Sequence, residues 1–264
     1  MFPDPVNIGP CYLDINAIPL ALGFIISLLI AIGRGRKHEL RAADICSIFI
    51  LVLISGIIGA KLFYAVFHWS RVSSDWIKFG RARLTGSGVF GAIILSAVTA
   101  LSYMKWRSLH IMRTLDILAP SIAIVFGFGR IGCFFSGCCY GLPTDNSIGI
   151  IFPTASPAGM AFPGQPLVPT QLVQAFDAFV IALVLLYIDR IKPFYGFTFC
   201  ILFFLYGLDR FVIDFYRSYE KEQIMTTIYG YPVPVTQLMA LILIIGIVII
   251  ALYLKKKGGA FKKI

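Results

Sequence analysis

The chain reads as a succession of apolar runs, each about as long as a bilayer is thick, separated by short polar segments. A hydrocarbon core of about 30 Å takes about 20 apolar residues per helical span. Seven runs qualify: 15–33, 45–69, 86–104, 117–140, 169–188, 194–216 and 235–254. The last carries no charge from Val235 to Leu254. No second domain fits between the runs. Residues 1–264 are therefore expected to form a single all-α integral membrane bundle of about seven transmembrane helices. No internal repeat is visible. Pro120 and then Gly127, Gly129, Gly132 and Gly137 fall in the fourth run, which predicts an irregular or closely packed helix, since small residues let helices or a lipid chain approach the backbone.

Composition agrees, with 58% hydrophobic and only 14% charged residues, a balance foreign to soluble domains. The formal charge of +10 raises nucleic acid as a partner, but the placement of the charges argues against it. Arg34, Arg36, Lys37 and Arg41 follow the first run; Lys105, Arg107 and Arg113 the third; Arg190 and Lys192 the fifth; Lys255 to Lys257, Lys262 and Lys263 the seventh. These segments share one side if the spans alternate, so the amino terminus is expected outside and the carboxyl terminus inside. Arg71, Lys78, Arg81 and Arg83 after the second run weaken that count without reversing it. Residues 1–16 contain no lysine or arginine, so they lack the basic start of a secretory signal and the first span is expected to be retained. Segment 141–168 has no lysine or arginine, five prolines and apolar patches at 148–152 and 160–162. It is expected either to lie along the membrane surface as an arm or lid, or to cap the bundle as a compact loop.

Chemistry enters with the charges inside the runs. Arg130 lies within the fourth run, where an arginine at the bilayer centre costs at least about 2.5 kcal/mol on insertion scales. Lys61 and Arg210 have similar settings. Tyr206, Arg210, Asp214 and Arg217 stand at i, i+4, i+8 and i+11, one face of a continuous helix. With the second, fourth and sixth spans running outward, Lys61, Arg130 and Arg210 fall at comparable depth in the outer half of the bilayer. Guanidinium suits phosphate because its fork gives bidentate, charge-assisted hydrogen bonds, so this reading points to an anionic lipid. Purely structural pairing is the competing account, through Asp214 with Arg210 or Arg217 and Asp177 with Arg130. It is disfavoured because the cations outnumber the nearby acids; Asp116 belongs near the inner end of its span. A proton relay or transporter would want a chain of acids across the membrane, which the sequence lacks. Cys133, Cys138 and Cys139 do not match a recognised zinc spacing, and neither a metal nor a cofactor is expected.

The motifs then carry a resemblance. Gly129-Arg130-Ile131-Gly132-Cys133-Phe134-Phe135-Ser136-Gly137-Cys138-Cys139-Tyr140-Gly141 resembles the signature of bacterial prolipoprotein diacylglyceryl transferases, commonly written G-R-x-G-N-F-x-N-G-E-x-x-G. Ile8-Gly9-Pro10 and Gly23-Phe24 match the family's start in spacing. Gly59-Ala60-Lys61-Leu62-Phe63-Tyr64 is similar to its G-A-R-x-x-Y, and Pro169-Thr170-Gln171-Leu172 to its H-P-S-Q-L, with Val168 in place of the histidine. Tyr206-Gly207-Leu208-Asp209-Arg210-Phe211, with Asp214 and Arg217, is similar to its Y-G-x-x-R-F-x-x-E-x-x-R. The chain departs where the signature's asparagine is Cys133, its glutamate is Cys138, and the tyrosine of W-Y-G falls at Asn16. The histidine of H-G-G-L has no counterpart near Thr85 and Gly86.

The resemblance implies a bacterial inner-membrane enzyme that moves the diacylglyceryl unit of phosphatidylglycerol to a cysteine thiol in a lipoprotein signal peptide. On that expectation Arg130 and Arg210 hold the phosphate of the leaving group, with Lys61 and Arg217 behind them. Gly129, Gly132, Tyr206 and Asp214 complete the substrate site. His68 is the candidate base for the thiol. Cys138 is a less favoured internal nucleophile. Two alternatives stay open: a related transferase with a non-lipoprotein acceptor, and a non-catalytic protein that binds anionic lipid.

Overall fold

The computed structural model describes residues 6–8, 11–13, 17–67, 69, 88–219, 224–228 and 231–261. Among them are eight helices: α1 (Ala17–Lys37), α2 (Ala42–Phe67), α3 (Gly88–Trp106), α4 (Ile111–Ser136), the short α5 (Pro157–Ala161), α6 (Thr170–Ile188), α7 (Phe197–Ile213) and α8 (Val235–Phe261). The seven long ones answer to the seven apolar runs. Six are long and apolar enough to cross a membrane. The exception is α7, with 17 residues, a rise of about 25 Å at about 1.5 Å per residue, because its helix stops at Ile213 although the apolar run continues. Large apolar side chains such as Leu29, Ile93, Leu183 and Ile249 are exposed on these helices, as lipid-facing surfaces require. Three two-stranded ribbons, which the apolar pattern did not announce, complete the described residues: β1 (Val6–Ile8) with β2 (Cys11–Leu13), β3 (Ile150–Ile151) with β4 (Pro166–Leu167), and β5 (Ile224–Ile228) with β6 (Tyr231–Pro234).

The chain divides into two compact units, residues 31–114 and residues 1–30 with 115–264. In the first, α2 packs against α3 through glycines that bring the two backbones together. A Cβ on Gly91 would lie 2.2 Å from the Gly59 carbonyl oxygen and 2.3 Å from the Phe63 Cβ. Ser96 Oγ donates to the Val52 carbonyl at 2.9 Å across the same seam. At the far end of the pair, Tyr103 and Arg107 both donate to the buried Asp44 carboxylate at 3.0 Å. Gly91→Val is expected to force the helices apart, at a cost of about 1–3 kcal/mol for overpacking. The check is the thermal unfolding midpoint in detergent, where an unchanged value would show that the pair does not depend on this seam.

In the second unit, Ala119, Ala123 and Ile124 of α4 meet Ala182 and Leu185 of α6 and Leu202 of α7 in a buried cluster. The small residues allow the close approach that packing within a bilayer favours. The fourth run is closely packed rather than irregular. Pro120 is accommodated inside a continuous helix, and a Cβ on Gly127 would lie 2.7 Å from the Phe179 ring. Helix α4 ends at Ser136, however, four residues before the apolar run does. Gly137 takes a left-handed backbone, φ +65°, which stops a helix.

Asp116, with 0% exposure, has a structural task. Its carboxylate accepts from the backbone N–H of Gly196 at 2.7 Å and of Phe199 at 3.0 Å. It thereby satisfies donors that the start of α7 would otherwise leave buried and bare. Helix α7 packs against both α6 and α8. Segment 141–168 is compact. Phe152, Ala158 and Leu167 form a small core with Phe134, Tyr140, Ile150 and Phe162 around it, and Ser156 caps α5 by accepting from Gly159 N–H. Its Ile148, Ile151 and Met160 are exposed.

Candidate active site

Tyr206 and Arg210 lie one turn apart on α7, as their spacing predicts. Arg210 Nη2 pairs with Asp214 Oδ1 at 3.2 Å and donates to the Tyr219 hydroxyl at 2.9 Å. Asp214, 4% exposed, also accepts the Tyr219 hydroxyl and, at 2.7 Å, Thr236 Oγ1 from the first turn of α8. The carboxylate thus ties the end of α7 to α8 and fixes the direction of the Arg210 fork. Burial pushes the Tyr219 phenol above its ordinary value, against the opposing charges of Arg210 and Arg217. A phenol that stays protonated can donate to Asp214 while accepting from Arg210.

Arg217 corrects one expectation. The helix ends before it, so it does not share the face of Tyr206 and Arg210 by helical periodicity. Residues 214–216 turn, and Arg217 enters an antiparallel bridge with Gly141. Backbone bonds fasten this seam: Leu142 N–H to Tyr216 O at 2.9 Å, Ser218 N–H to Tyr140 O at 3.1 Å, Gly141 N–H to Val168 O at 3.0 Å and Val168 N–H to Leu142 O at 3.0 Å. Three distant segments meet at Gly141, where a Cβ would strike Val168 O at 2.6 Å and Tyr216 O at 2.8 Å. The Arg217 guanidinium lies over the Tyr219 ring, 5.2 Å from its centre.

The charges of Arg217 and Arg130 both act on Arg210, so the three guanidinium groups share one region. Their donors are far from satisfied. Arg210 Nη1 and Arg217 Nε are buried with no hydrogen-bond partner. Among the described residues Arg130, largely buried on α4, makes neither an ion pair nor a hydrogen bond. Asp209, beside Asp177, accepts from Gln174 at 3.2 Å; its charge reaches Arg130, but the two make no ion pair at contact distance. Of the three guanidiniums, Arg210 alone makes a contact ion pair among the described residues. Tyr206 is a neighbour of Arg130, its ring packed on Phe126 at 5.0 Å. A Cβ on Gly129 would meet nothing within 4 Å; Gly132 is buried, its carbonyl accepting from Ser136 at 3.0 Å. Lys61 stands on α2 in the other compact unit. His68, Thr85, Gly86 and Asn16 lie outside the described residues.

Beyond the end of α4 the turn at Gly137 and a second left-handed residue, Cys139 at φ +61°, fold the chain back over Cys133. The sulfurs of Cys133, Cys138 and Cys139 lie within 4.8 Å of one another. Gln171 Nε2 donates to the Cys138 carbonyl at 2.7 Å and Thr170 Oγ1 to the Cys139 carbonyl at 2.8 Å. Cys138 Sγ donates to the Cys133 carbonyl at 3.7 Å, and the charges of Arg217 and Arg130 reach the Cys139 thiol.

Residues 3–253 match the family described as prolipoprotein diacylglyceryl transferase. The chain belongs to that family. Among its relatives, the phosphatidylglycerol–prolipoprotein diacylglyceryl transferase 2 of Clostridium perfringens (strain 13 / Type A) is 35% identical over 200 residues, covering 75% of this chain and 77% of that protein. The phosphatidylglycerol–prolipoprotein diacylglyceryl transferase of Clostridium tetani (strain Massachusetts / E88) is 33% identical over 75% of this chain and 78% of its own length. A third, from Clostridium botulinum (strain Loch Maree / Type A3), is 27% identical over 83% and 86%.

In this prolipoprotein diacylglyceryl transferase family member, the signature-like stretch 129–141 begins on a helix and ends in the three-way seam, which is why it joins Arg130 to Arg217. Sequence reasoning missed Tyr219, Thr236, Gln174 and Asp209. Asp209 and Gln174 were visible as polar residues inside apolar runs, and Thr236 with Gln237 as a polar pair opening the last one. Nothing in the local sequence marks Tyr219, whose partners come from α7 and α8.

Proposed function

We propose that this chain is a phosphatidylglycerol–prolipoprotein diacylglyceryl transferase, with 1–264 acting as one domain of a bacterial cell membrane. The acceptor is the cysteine thiol of a lipoprotein signal peptide. The observation that carries the reading is the group of three guanidiniums with unsatisfied donors in a largely buried setting. Such donors call for an anion with several acceptor oxygens, and a lipid phosphate supplies them. In the reaction the acceptor sulfur, as thiolate, forms a bond to the terminal glyceryl carbon. The carbon–oxygen bond to phosphate breaks, its electron pair stays on the phosphate oxygen, and glycerol phosphate leaves. Arg130 and Arg210 stabilise the charge that grows on that oxygen, where fixed donors in a dry site are worth far more than in water. Arg217 stands behind them. Gly129 and Gly132 give the lipid access to the helix backbone, Tyr206 borders the Arg130 side of the site, and Asp214 supports Arg210.

The test is purified protein with phosphatidylglycerol vesicles and a cysteine-containing signal peptide. The expected result is a diacylglyceryl mass gain on the cysteine with release of glycerol phosphate. No gain on the cysteine would refute the acceptor. Arg210→Lys is expected to lower turnover about 100-fold, the scale of one lost transition-state donor. A single ammonium cannot hold Asp214 and Tyr219 while still facing phosphate. Full activity in Arg210→Lys beside an inactive Arg210→Ala would mean that a point charge suffices.

A further inference from the structure

The three thiols at the end of α4 have no part in the reaction proposed for the guanidiniums, yet two left-handed residues and two side-chain hydrogen bonds to the turn bring them together. Cys133 comes from the last turn of α4, Cys138 and Cys139 from the turn after it. Their sulfurs converge within 4.8 Å. A tetrahedral zinc site with bonds of about 2.3 Å sets its sulfurs about 3.8 Å apart, a distance that small side-chain rotations reach from here. The turn is held from behind by Gln171 and Thr170 on α6, as outer hydrogen bonds commonly hold metal ligands. Soft sulfur donors select zinc or copper(I) over hard cations. Three protein ligands with a fourth position open is the arrangement of catalytic zinc, whereas structural zinc takes four.

We infer that Cys133, Cys138 and Cys139 bind one zinc ion as thiolates and leave its fourth position for the thiol of the acceptor cysteine. The inference rests on the transferase reading for the identity of that fourth ligand, but not for the metal. Each thiol releases its proton to solvent on coordination, because a coordinating thiol is deprotonated outright. Zinc with three thiolates carries one net negative charge and with the acceptor thiolate two. Arg130 and Arg217, whose charges reach Cys139, offset part of that charge. The zinc-bound acceptor sulfur then supplies the electron pair for the new carbon–sulfur bond, and the pair from the broken carbon–oxygen bond goes to the phosphate. The metal changes neither its charge nor its oxidation state. The product sulfur, now a neutral thioether, is a weaker ligand and is released. Sequence spacing gave no hint of this site, because it does not report the two left-handed residues that bend Cys138 and Cys139 back.

The experiment uses the full chain in detergent, reduced, stripped with chelator and supplied with zinc. One zinc per chain is expected. Cys133→Ser, Cys138→Ser and Cys139→Ser are each expected to weaken binding about 100-fold or more, since even outer partners of metal ligands are worth 10–100-fold. Cys46→Ser and Cys200→Ser, which alter cysteines outside the cluster, keep full binding and show that a lost thiol alone is not the cause. With cobalt in place of zinc, a sulfur-to-metal charge-transfer band is expected. A signal peptide carrying the acceptor cysteine shifts that band, and the same peptide with serine does not. No bound metal, copper(I) in strong preference to zinc, or binding indifferent to the three cysteines overturns the site; a band that ignores the cysteine peptide overturns the open position. Full transferase activity in the metal-free chain would sink this inference and leave the transferase standing. Stoichiometric zinc in a chain that modifies no peptide would do the reverse.

Discussion

Arg130→Ala is expected to lower lipid turnover at least about 1000-fold, at the top of the range for removing a fixed donor from a developing charge, while the protein still enters the membrane. The side chain has no ion pair or hydrogen bond among the described residues, so its removal breaks no internal contact of that kind. It also removes a charge that is unfavourable at membrane depth. The unfolding midpoint should therefore stay level or rise while activity disappears. That combination separates a ligand-binding arginine from a structural one, whose loss would lower both. The measurement is diacylglyceryl gain on the peptide at equal amounts of inserted protein. Normal turnover in Arg130→Ala would sink the assignment of the phosphate to this cluster.

The second large effect is on stability. Asp214→Asn keeps the shape of the side chain and removes the charge that Arg210 pairs with. One of its two oxygens becomes an amide nitrogen, so either Tyr219 or Thr236 loses its acceptor. Breaking a buried ion pair from one side costs about 3–5 kcal/mol, because the partner is left charged and uncompensated. The unfolding midpoint in detergent is expected to fall. Turnover should fall less than in Arg210→Ala, since the phosphate donor is loosened rather than deleted. Both quantities are read on the same preparations. Loss of all turnover with an unchanged midpoint would make Asp214 a catalytic base and refute its supporting role.

Much of this architecture was legible because a bilayer imposes a length and a polarity on every helix that crosses it. Runs of about 20 apolar residues located the seven long helices, and a charge inside such a run marked Arg130 and Arg210 without further help. What escaped has a common physical origin. Backbone reversals are set by single residues: the apolar count carried the fourth run to Tyr140, but Gly137 ended the helix at Ser136. The same limit misplaced Arg217, since a helical spacing holds only while the helix lasts, and α7 stops at Ile213. Partners recruited from distant segments, such as Tyr219 and Thr236 around Asp214, leave no periodic trace. The cysteine cluster escaped because its convergence comes from the Cys139 turn and not from spacing.

Asp116 bears on how variants of this chain ought to be scored. Its carboxylate holds two backbone donors and touches none of the guanidiniums, so a change there acts on how much protein survives assembly. A screen that reads lipidated product per cell would rank Asp116→Ala beside Arg130→Ala, although one lowers the number of working molecules and the other the output of each. Dividing product by the amount of membrane-inserted protein restores the distinction. A map of sensitive positions made without that division would spread the apparent active site along α4 toward its opposite end.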